Sequence, residues 1–369
     1  TTYNEVEILQ NAQEKYPRLL EDIRNATHSI HMDYYIWEAD KFTEEVRDLL
    51  IEKVKEGVQV RILYDAVGNL KALDRRYVRS MRDGGIEIYS YLNWLSPYKI
   101  HTVGYRNHRK IAIIDGRIGF LGGLNMSQDH LDGGIYFDSW RDTHLRIVGE
   151  AVSVLQSIFI TSWYNTTYEK LADDAFFAAA QNPPDHYLPV QITTSGPDSQ
   201  WAAIRQVYLF MILAAEDHVY IQSPFFIPDS PIAEALKTAA LAGVDVRIMS
   251  TPRGTTYSVP YWAANTYFAE MAEAGIKIYL YQKGYFHSKT ISIDGELCSI
   301  GTANMDIRSF RINYEANAVI YDRNIAAELE TDFLQDMKDC LEFSLEEYEE
   351  RNVFLRFRDS LARLASPLL

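Results

Sequence analysis

At 369 residues the chain has room for about two domains, and 47% apolar with 24% charged residues is an ordinary globular composition with a sizeable core. A formal net charge of −15 argues against general nucleic-acid binding, which neutralises phosphates with Lys and Arg, and against adhesion of the whole surface to an anionic membrane. The two cysteines, Cys298 and Cys340, have no metal-type spacing and imply no disulfide framework, which fits a reducing compartment. No run of 18 uncharged apolar residues occurs, so nothing in this stretch is expected to span a bilayer.

Taken in order, Leu9 to Ala26 has helical apolar spacing and Ser29 to Trp37 reads as a strand. Phe42 to Glu56 is an amphipathic helix closed by Gly57, followed by an apolar strand, Val58 to Tyr64. Arg75 to Arg82 is helical, Gly84-Gly85 stops it, and Ile86 to Tyr91 is a strand, which completes an α/β unit. Next comes His108-Arg109-Lys110, an apolar run to Ile114, Asp115-Gly116, and then Gly122-Gly123-Leu124-Asn125. Ala151 to Tyr164 carries Gln156 and reads as a helix with a buried face. Patterning lapses from Leu171 to Pro197, the expected connection between halves.

The second half repeats the first. Val219 to Phe226 echoes the strand at Ile30, Ile232 to Ala242 is the helix, and Gly243 to Ile248 mirrors Gly57 to Ile62. Gly275 to Tyr279 mirrors Gly85 to Tyr89 at an offset of 190. Then His287, Lys289, Asp294, Gly295, Gly301 and Asn304 match the first string at an offset of 179. Self-similarity at half the chain length means duplication. The drop from 190 to 179 places eleven extra residues between Tyr91 and His108. That loop holds Trp94, Tyr98, Lys99, His101, Tyr105 and Arg106, and is read as a lipid-contacting lip of the site mouth, or else as a loop packed on its own half. Ile325 to Cys340 reads as a helix. Arg351 to Leu369 reads as a basic-faced helix packed on the body, with a helix lying on a membrane as the alternative. The expected division is 1–170, a connection at 171–200, 201–345, and a helical tail at 346–369.

The repeated string has a chemical sense. His and Lys two apart on a strand share a face, and Asp-Gly between apolar runs signals a two-residue hairpin turn. Such turns would put Gly123 opposite His108 and Thr302 opposite His287, where a small residue leaves room for a ligand over the imidazole. Neutral imidazole is a nucleophile or acid–base near pH 7. Lys ammonium and Asn amide groups donate to phosphodiester oxygens. Two copies supply one imidazole to attack phosphorus and one to protonate the leaving oxygen, so no metal or cofactor is expected.

Both copies match His-x-Lys-x4-Asp-x6-Gly-x2-Asn, and the chain resembles the phospholipase D (HKD) superfamily. Flanking strings resemble its bacterial cardiolipin synthase branch: Tyr34-Tyr35-Ile36, Asn107 to Asp115, Trp140 to His144, Gly301 to Phe310, Asn313 to Asn317, and Ser366 to Leu369. Met126 to Asp132 departs from the commonest wording of that branch, which bears on the acceptor. The resemblance implies a duplicated α/β fold, two sheet-and-helix halves related by a pseudo-two-fold with the active site between them. It implies a phosphatidyltransferase that makes cardiolipin and glycerol from two phosphatidylglycerols, at the cytoplasmic face of a bacterial membrane. The alternatives are a hydrolase or transphosphatidylase using water or another alcohol, a phosphodiester nuclease, and a scaffold with a decayed site. Nucleases of the superfamily often carry one motif copy and need a basic groove, whereas this chain has two copies and is acidic. The synthases carry hydrophobic helices ahead of their catalytic part. A start at Thr1 fits removal of such an anchor and equally removal of an initiator Met.

The resemblance suggests His108 as nucleophile and His287 as acid–base, with Lys110, Lys289, Asn125 and Asn304 holding the non-bridging oxygens. Asp142 lies 27 residues after Asp115 and Glu315 lies 21 after Asp294, and they are expected to orient His108 and His287 respectively. Asp115, Asp294, Gly122 and Gly301 read as structural, the two acids as turn and inter-half residues that do not touch substrate. His144, beside Asp142, is expected to support the site from behind. Packing or surface roles are expected for His28, His31, His101, His130, His186 and His218.

Overall fold

The computed structural model describes residues 1–91, 104–252 and 259–368. The first half runs β1 (Asn4–Gln10), α1 (Asn11–Asn25), β2 (Ser29–Tyr34), α2 (Lys41–Lys55), β3 (Gln59–Asp65), α3 (Arg75–Asp83) and β4 (Glu87–Tyr91). It continues with β5 (Lys110–Ile114), β6 (Ile118–Gly122), α4 (Asp129–Asp132), β7 (Trp140–Arg141), β8 (Thr143–Gly149) and α5 (Glu150–Thr167). After α6 (Ala178–Gln181), the second half comprises β9 (Val190–Ser195), α7 (Ala203–Ala214), β10 (His218–Gln222), β11 (Phe226–Ile227), α8 (Ser230–Leu241), β12 (Asp245–Ser250), α9 (Val259–Glu273) and β13 (Lys277–Tyr281). Then come β14 (Tyr285–Phe286), β15 (Thr290–Ile293), β16 (Leu297–Gly301), β17 (Met305–Asp306), α10 (Ile307–Arg311), β18 (Glu315–Ile320), α11 (Arg323–Asp336) and β19 (Cys340–Glu342). A tail of α12 (Leu345–Glu350) and α13 (Val353–Arg363) follows.

The sheets have the orders β1-β8-β6-β5-β2-β3-β4 and β19-β13-β12-β10-β15-β16-β18-β9. Read from opposite edges they superpose strand for strand, with β9 the counterpart of β1 and β19 an addition. The α/β duplication is therefore observed. Two features differ from expectation. Asn4–Gln10 is a strand, because Asn11, at φ 64, turns the chain so that this short segment pairs antiparallel with β8 before the helix begins. Val190–Ser195, within the stretch without clear patterning, is the edge strand of the second sheet.

Local chemistry explains the boundaries. Asp40 caps α2, accepting from the Thr43 backbone N–H at 2.9 Å while the Thr43 hydroxyl accepts from Asp40 N–H at 3.1 Å. Four layers result. Helices α1, α2 and α3 cover the outer face of one sheet and α7, α8 and α9 that of the other. The inner faces meet through Ile111, Ile113, Leu121 and Leu145 against Cys298, Ile300, Ala316 and Ala318. The helix expected at Ala151–Tyr164 is α5; its Gln156 is fully buried and bonds His31. Among the described residues no helix is long and apolar enough to cross a membrane.

The motif hairpins carry one more residue than expected. Asp115 (φ 53) and Gly116 (φ 60) form a tight turn closed by Arg117 N–H to Ile114 O at 2.9 Å. Arg117 is then extra, so Ile114 pairs with Ile118, and Ile293 likewise pairs with Leu297. That register, continued, sets His108 across from Leu124 and not Gly123. Asp115 accepts from the backbone N–H groups of Thr27, His28 and Ser29 at 2.8–2.9 Å. Asp294 does the same for Glu216, Asp217 and His218. Both tie a hairpin tip to the start of a parallel strand within their own half, which corrects the inter-half role expected for them. Asp294→Ala strands three backbone donors, so chemical denaturation should register a loss of about 1–3 kcal/mol, with kcat for the folded enzyme unchanged.

Candidate active site

The two motifs meet where the sheets abut. Beyond β4 and before β5 the chain runs beside the segment leading into β18, with His108 N–H to Tyr314 O at 3.0 Å and Tyr314 N–H to Arg106 O at 2.8 Å. The symmetry-related seam pairs β14 with β7 in parallel and ends in His287 N–H to Arg141 O at 2.8 Å. Each histidine thus enters alongside the carboxylate-bearing segment of the opposite half.

The carboxylates cross over accordingly. His108 Nδ1 bonds Glu315 Oε2 at 2.9 Å, and His287 Nδ1 bonds Asp142 Oδ2 at 2.7 Å. This reverses the pairing expected from the sequence. Within one sheet β6 lies between β5 and β8, so Asp142 stands two strands, roughly 10 Å, from His108. Only the other half comes close enough. Both carboxylates are fully buried and the imidazoles nearly so, with Nε2 left to face the cleft.

Gly123 has a different task from the one read in the sequence. A Cβ there would lie 1.9 Å from Asp142 Oδ1, so the glycine makes room for the carboxylate rather than for a ligand. Its counterpart Thr302 donates its hydroxyl to Glu315 at 2.5 Å. Glu315 also accepts from Ser309 Oγ at 2.9 Å and Asn313 Nδ2 at 3.3 Å. Asp142 receives Thr143 N–H at 2.8 Å. Gly122 and Gly301 lie at the ends of β6 and β16, where the backbones of His144 and Ala316 approach too closely for a side chain.

The lysines are buried and anchored: Lys110 Nζ donates to His108 O at 2.7 Å and Lys289 Nζ to His287 O. Each keeps further N–H bonds for an anion. Asn125 is held by Ile36 N–H donating to its Oδ1 at 3.1 Å, which presents the amide N–H₂; Asn304 is 5% exposed. Burial pushes the His108 imidazole down to about 4, with Glu315 opposing and the lysines assisting. Burial, Lys289 and Lys110 likewise push His287 well below the usual range. Burial lowers Lys110 to about 7 and Lys289 to about 8, against the pull of the carboxylates. Burial raises Asp142 while Lys289 draws it back. The resting site therefore holds neutral imidazoles beside two lysines whose charge an anion would stabilise.

Aromatic walls frame it. Tyr35 stands 4.8 Å from His108, and Trp140 and Tyr285 stand 5.6 and 5.7 Å from His287, ring centre to ring centre. His144 is buried behind Gly122, and His130 packs on Trp140 at 4.3 Å. Sequence reading placed Thr302 opposite His287 without its bond to Glu315, and did not single out Ser309 or Lys15. The last is a fully buried cation on α1 that donates to Tyr34 Oη at 3.1 Å. An ionisable residue on the buried stripe of a helix was the available signal for it. Of the expected lip, Trp94, Tyr98, Lys99 and His101 lie outside the described residues. Tyr105 and Arg106 lead into the seam. Among the described residues no three His, Cys, Asp or Glu side chains cluster in a way that would hold a metal.

Residues 19–163 and 208–337 match the family model described as cardiolipin synthase, PLD-like domain. The chain belongs to that family. It is 44% identical over 99% of its length to a protein from Geobacillus sp. (strain WCH70) named cardiolipin synthase, covering 72% of that relative. It is 40% identical over its whole length to the major cardiolipin synthase ClsA of Bacillus subtilis (strain 168), covering 76% of it. The fold is also similar to the crystal structure of a phosphatidylserine synthase from Haemophilus influenzae Rd KW20, with a TM-score of 0.76 at 17% identity over 99% of this chain and 95% of that one.

The crossed pairing makes a direct prediction. In a ¹⁵N-histidine spectrum, Asp142→Asn should move the ring resonances of His287 and leave those of His108 in place; the reverse would restore same-half pairing. Gly123→Ala should displace Asp142 and lower kcat about 10²-fold, read in the transfer assay.

Proposed function

We propose that this member of the family is a phosphatidyltransferase that condenses two phosphatidylglycerols to cardiolipin and glycerol through a phosphohistidine. The observation that carries the reading is the pair of imidazoles, each fixed at Nδ1 by a buried carboxylate of the opposite half, beside two buried lysines. The names of relatives at 40–44% identity over nearly the whole chain support the same reaction.

In the proposed cycle a lipid phosphate lies between the two Nε2 atoms. Lys110, Lys289, Asn125 and Asn304 hold its non-bridging oxygens as charge moves onto them. Its negative charge offsets the lysines, which lets His287 carry a proton that it cannot keep in the empty site. His108 attacks phosphorus. The bond to the headgroup glycerol breaks, and His287 gives that oxygen its proton. His287, now neutral, takes the proton of a hydroxyl on a second phosphatidylglycerol. That oxygen displaces His108, and phosphatidyl passes to the acceptor. Glu315 and Asp142 hold tautomer and orientation throughout and stabilise each imidazolium as it forms. The protein would work on anionic phospholipid at a bacterial membrane surface, with its chemistry on the cytoplasmic side.

Incubation with headgroup-labelled phosphatidylglycerol tests the reading. Cardiolipin with released glycerol supports it; phosphatidic acid as the sole lipid product shows that water is the acceptor. The pH dependence of kcat/KM, which reports the free enzyme, should be bell-shaped. The nucleophile works neutral, so the rate rises with pH through His108 near 4. The acid works protonated and the lysines charged, so it falls as pH rises above the depressed His287 value, and falls further through Lys110 and Lys289 between 7 and 8.

A further inference from the structure

The tail helix α13 is built inside out. Its buried residues are Asp359 and Ala362, a charge and a methyl group. Its large apolar side chains point away from the body: Phe354, Phe357, Leu361 and Leu364 are 77, 67, 57 and 78% exposed, and Val353 joins them. Their spacing places them on one stripe of a helix. Polar contacts hold the opposite face down. Asp359 accepts from Arg351 at 3.2 Å, Arg358 at 2.6 Å and Asn265 at 3.1 Å. The Arg358 and Arg363 guanidiniums lie 4.5 and 4.1 Å from the ring centres of Trp262 and Tyr267 on α9. A surface helix ordinarily buries its apolar stripe and shows its charges. Here the arrangement is reversed, and an apolar stripe of this size marks a contact surface.

We infer that α13 is the element by which the enzyme lies on an anionic lipid bilayer, its stripe entering the acyl boundary. The inference rests on the reading of the site as one for anionic lipid. Position identifies the occupant. Of the tail's arginines, 351 and 358 pair with Asp359 and 363 with Glu270, and four glutamates of α12 (346, 347, 349 and 350) stand just ahead of them. Arg356, on the Glu349 carbonyl, makes no ion pair among the described residues, and one such arginine beside an apolar stripe fits the boundary of a leaflet. Trp262 follows Tyr261, whose hydroxyl lies 3.3 Å from that of Tyr285, and the Tyr285 ring stacks on His287. Ile135 and Tyr136, 87 and 61% exposed, project from the loop whose Phe137 packs on Tyr285 at 5.1 Å. The apolar surface is thus a few side chains from the imidazole that receives the lipid headgroup.

The test compares the parent chain with a Phe354→Ser, Phe357→Ser, Leu361→Ser, Leu364→Ser variant. Co-sedimentation uses vesicles of phosphatidylcholine with and without phosphatidylglycerol, and turnover is measured in parallel on detergent-dispersed phosphatidylglycerol. The expected result is at least about tenfold weaker partitioning to the mixed vesicles, with detergent-phase turnover retained. Arg356→Gln should weaken binding to the anionic vesicles alone, about fivefold. Phe357→Trp should bind as the parent does and gain fluorescence quenching by acyl-brominated lipid. Unchanged partitioning of the serine variant overturns the inference. So does a parent dimer in light scattering that the serine variant converts to monomer, which would make the stripe an interface between copies. Absence of turnover by the parent in detergent would instead count against the reading of the site and leave the vesicle comparison to stand by itself.

Discussion

Each imidazole depends on a hydrogen bond that its own half of the molecule does not supply. A histidine at a strand end can rotate, change tautomer and pair with water; a carboxylate on Nδ1 removes those freedoms and leaves Nε2 as the working nitrogen. Here that carboxylate arrives across the seam, from Glu315 to His108 and from Asp142 to His287. The rest of the architecture serves this exchange. The inner faces of two sheets pack together, two short parallel pairings stitch the seam, and three glycines let backbones or carboxylates approach where a side chain would collide.

The near-symmetry of the site is not complete, and the departures are chemical. Glu315 is ringed by a threonine hydroxyl, a serine hydroxyl and an asparagine amide, all neutral donors. Asp142 has a glycine where its counterpart has the threonine, and besides His287 accepts from the Thr143 backbone N–H. A carboxylate that shares its lone pairs among several side-chain donors holds its imidazole less exclusively than one left to an imidazole and one backbone N–H. Such a difference is a means for a duplicated site to give two identical residues unequal tasks, one attacking and one carrying protons.

Much of this was legible in the chain. The offset of 179 identified the reactive residues, since few pressures besides chemistry keep His, Lys, Asp, Gly and Asn in step across a duplication. Strand–helix alternation closed by Gly57, Gly85 and their echoes announced the parallel core. What failed was geometry finer than the pattern. Arg117 and Glu296, one extra residue in each hairpin, shifted the register and with it the meaning of Gly123. The partners of the histidines were assigned along the chain when they lie across it, because sequence distance carries no information on which of two similar halves a side chain faces. β1 and β9 went unread because an edge strand buries only part of its length and is only half patterned. The tail was expected to be a basic-faced helix packed on the body; it packs there through Asp359 and the arginines around it, and the outward turn of its phenylalanines follows from Asp359 taking the buried place.

Asp142 and Glu315 stand at opposite reaches of the polypeptide, and that has a bearing on biosynthesis. As the chain emerges from the ribosome, His108 appears some two hundred residues ahead of its carboxylate. His287 waits for β16 and β18 to complete the sheet that holds β15. The His108 pair is therefore complete only once β18 has been made, whereas the His287 pair has its carboxylate waiting from the first half.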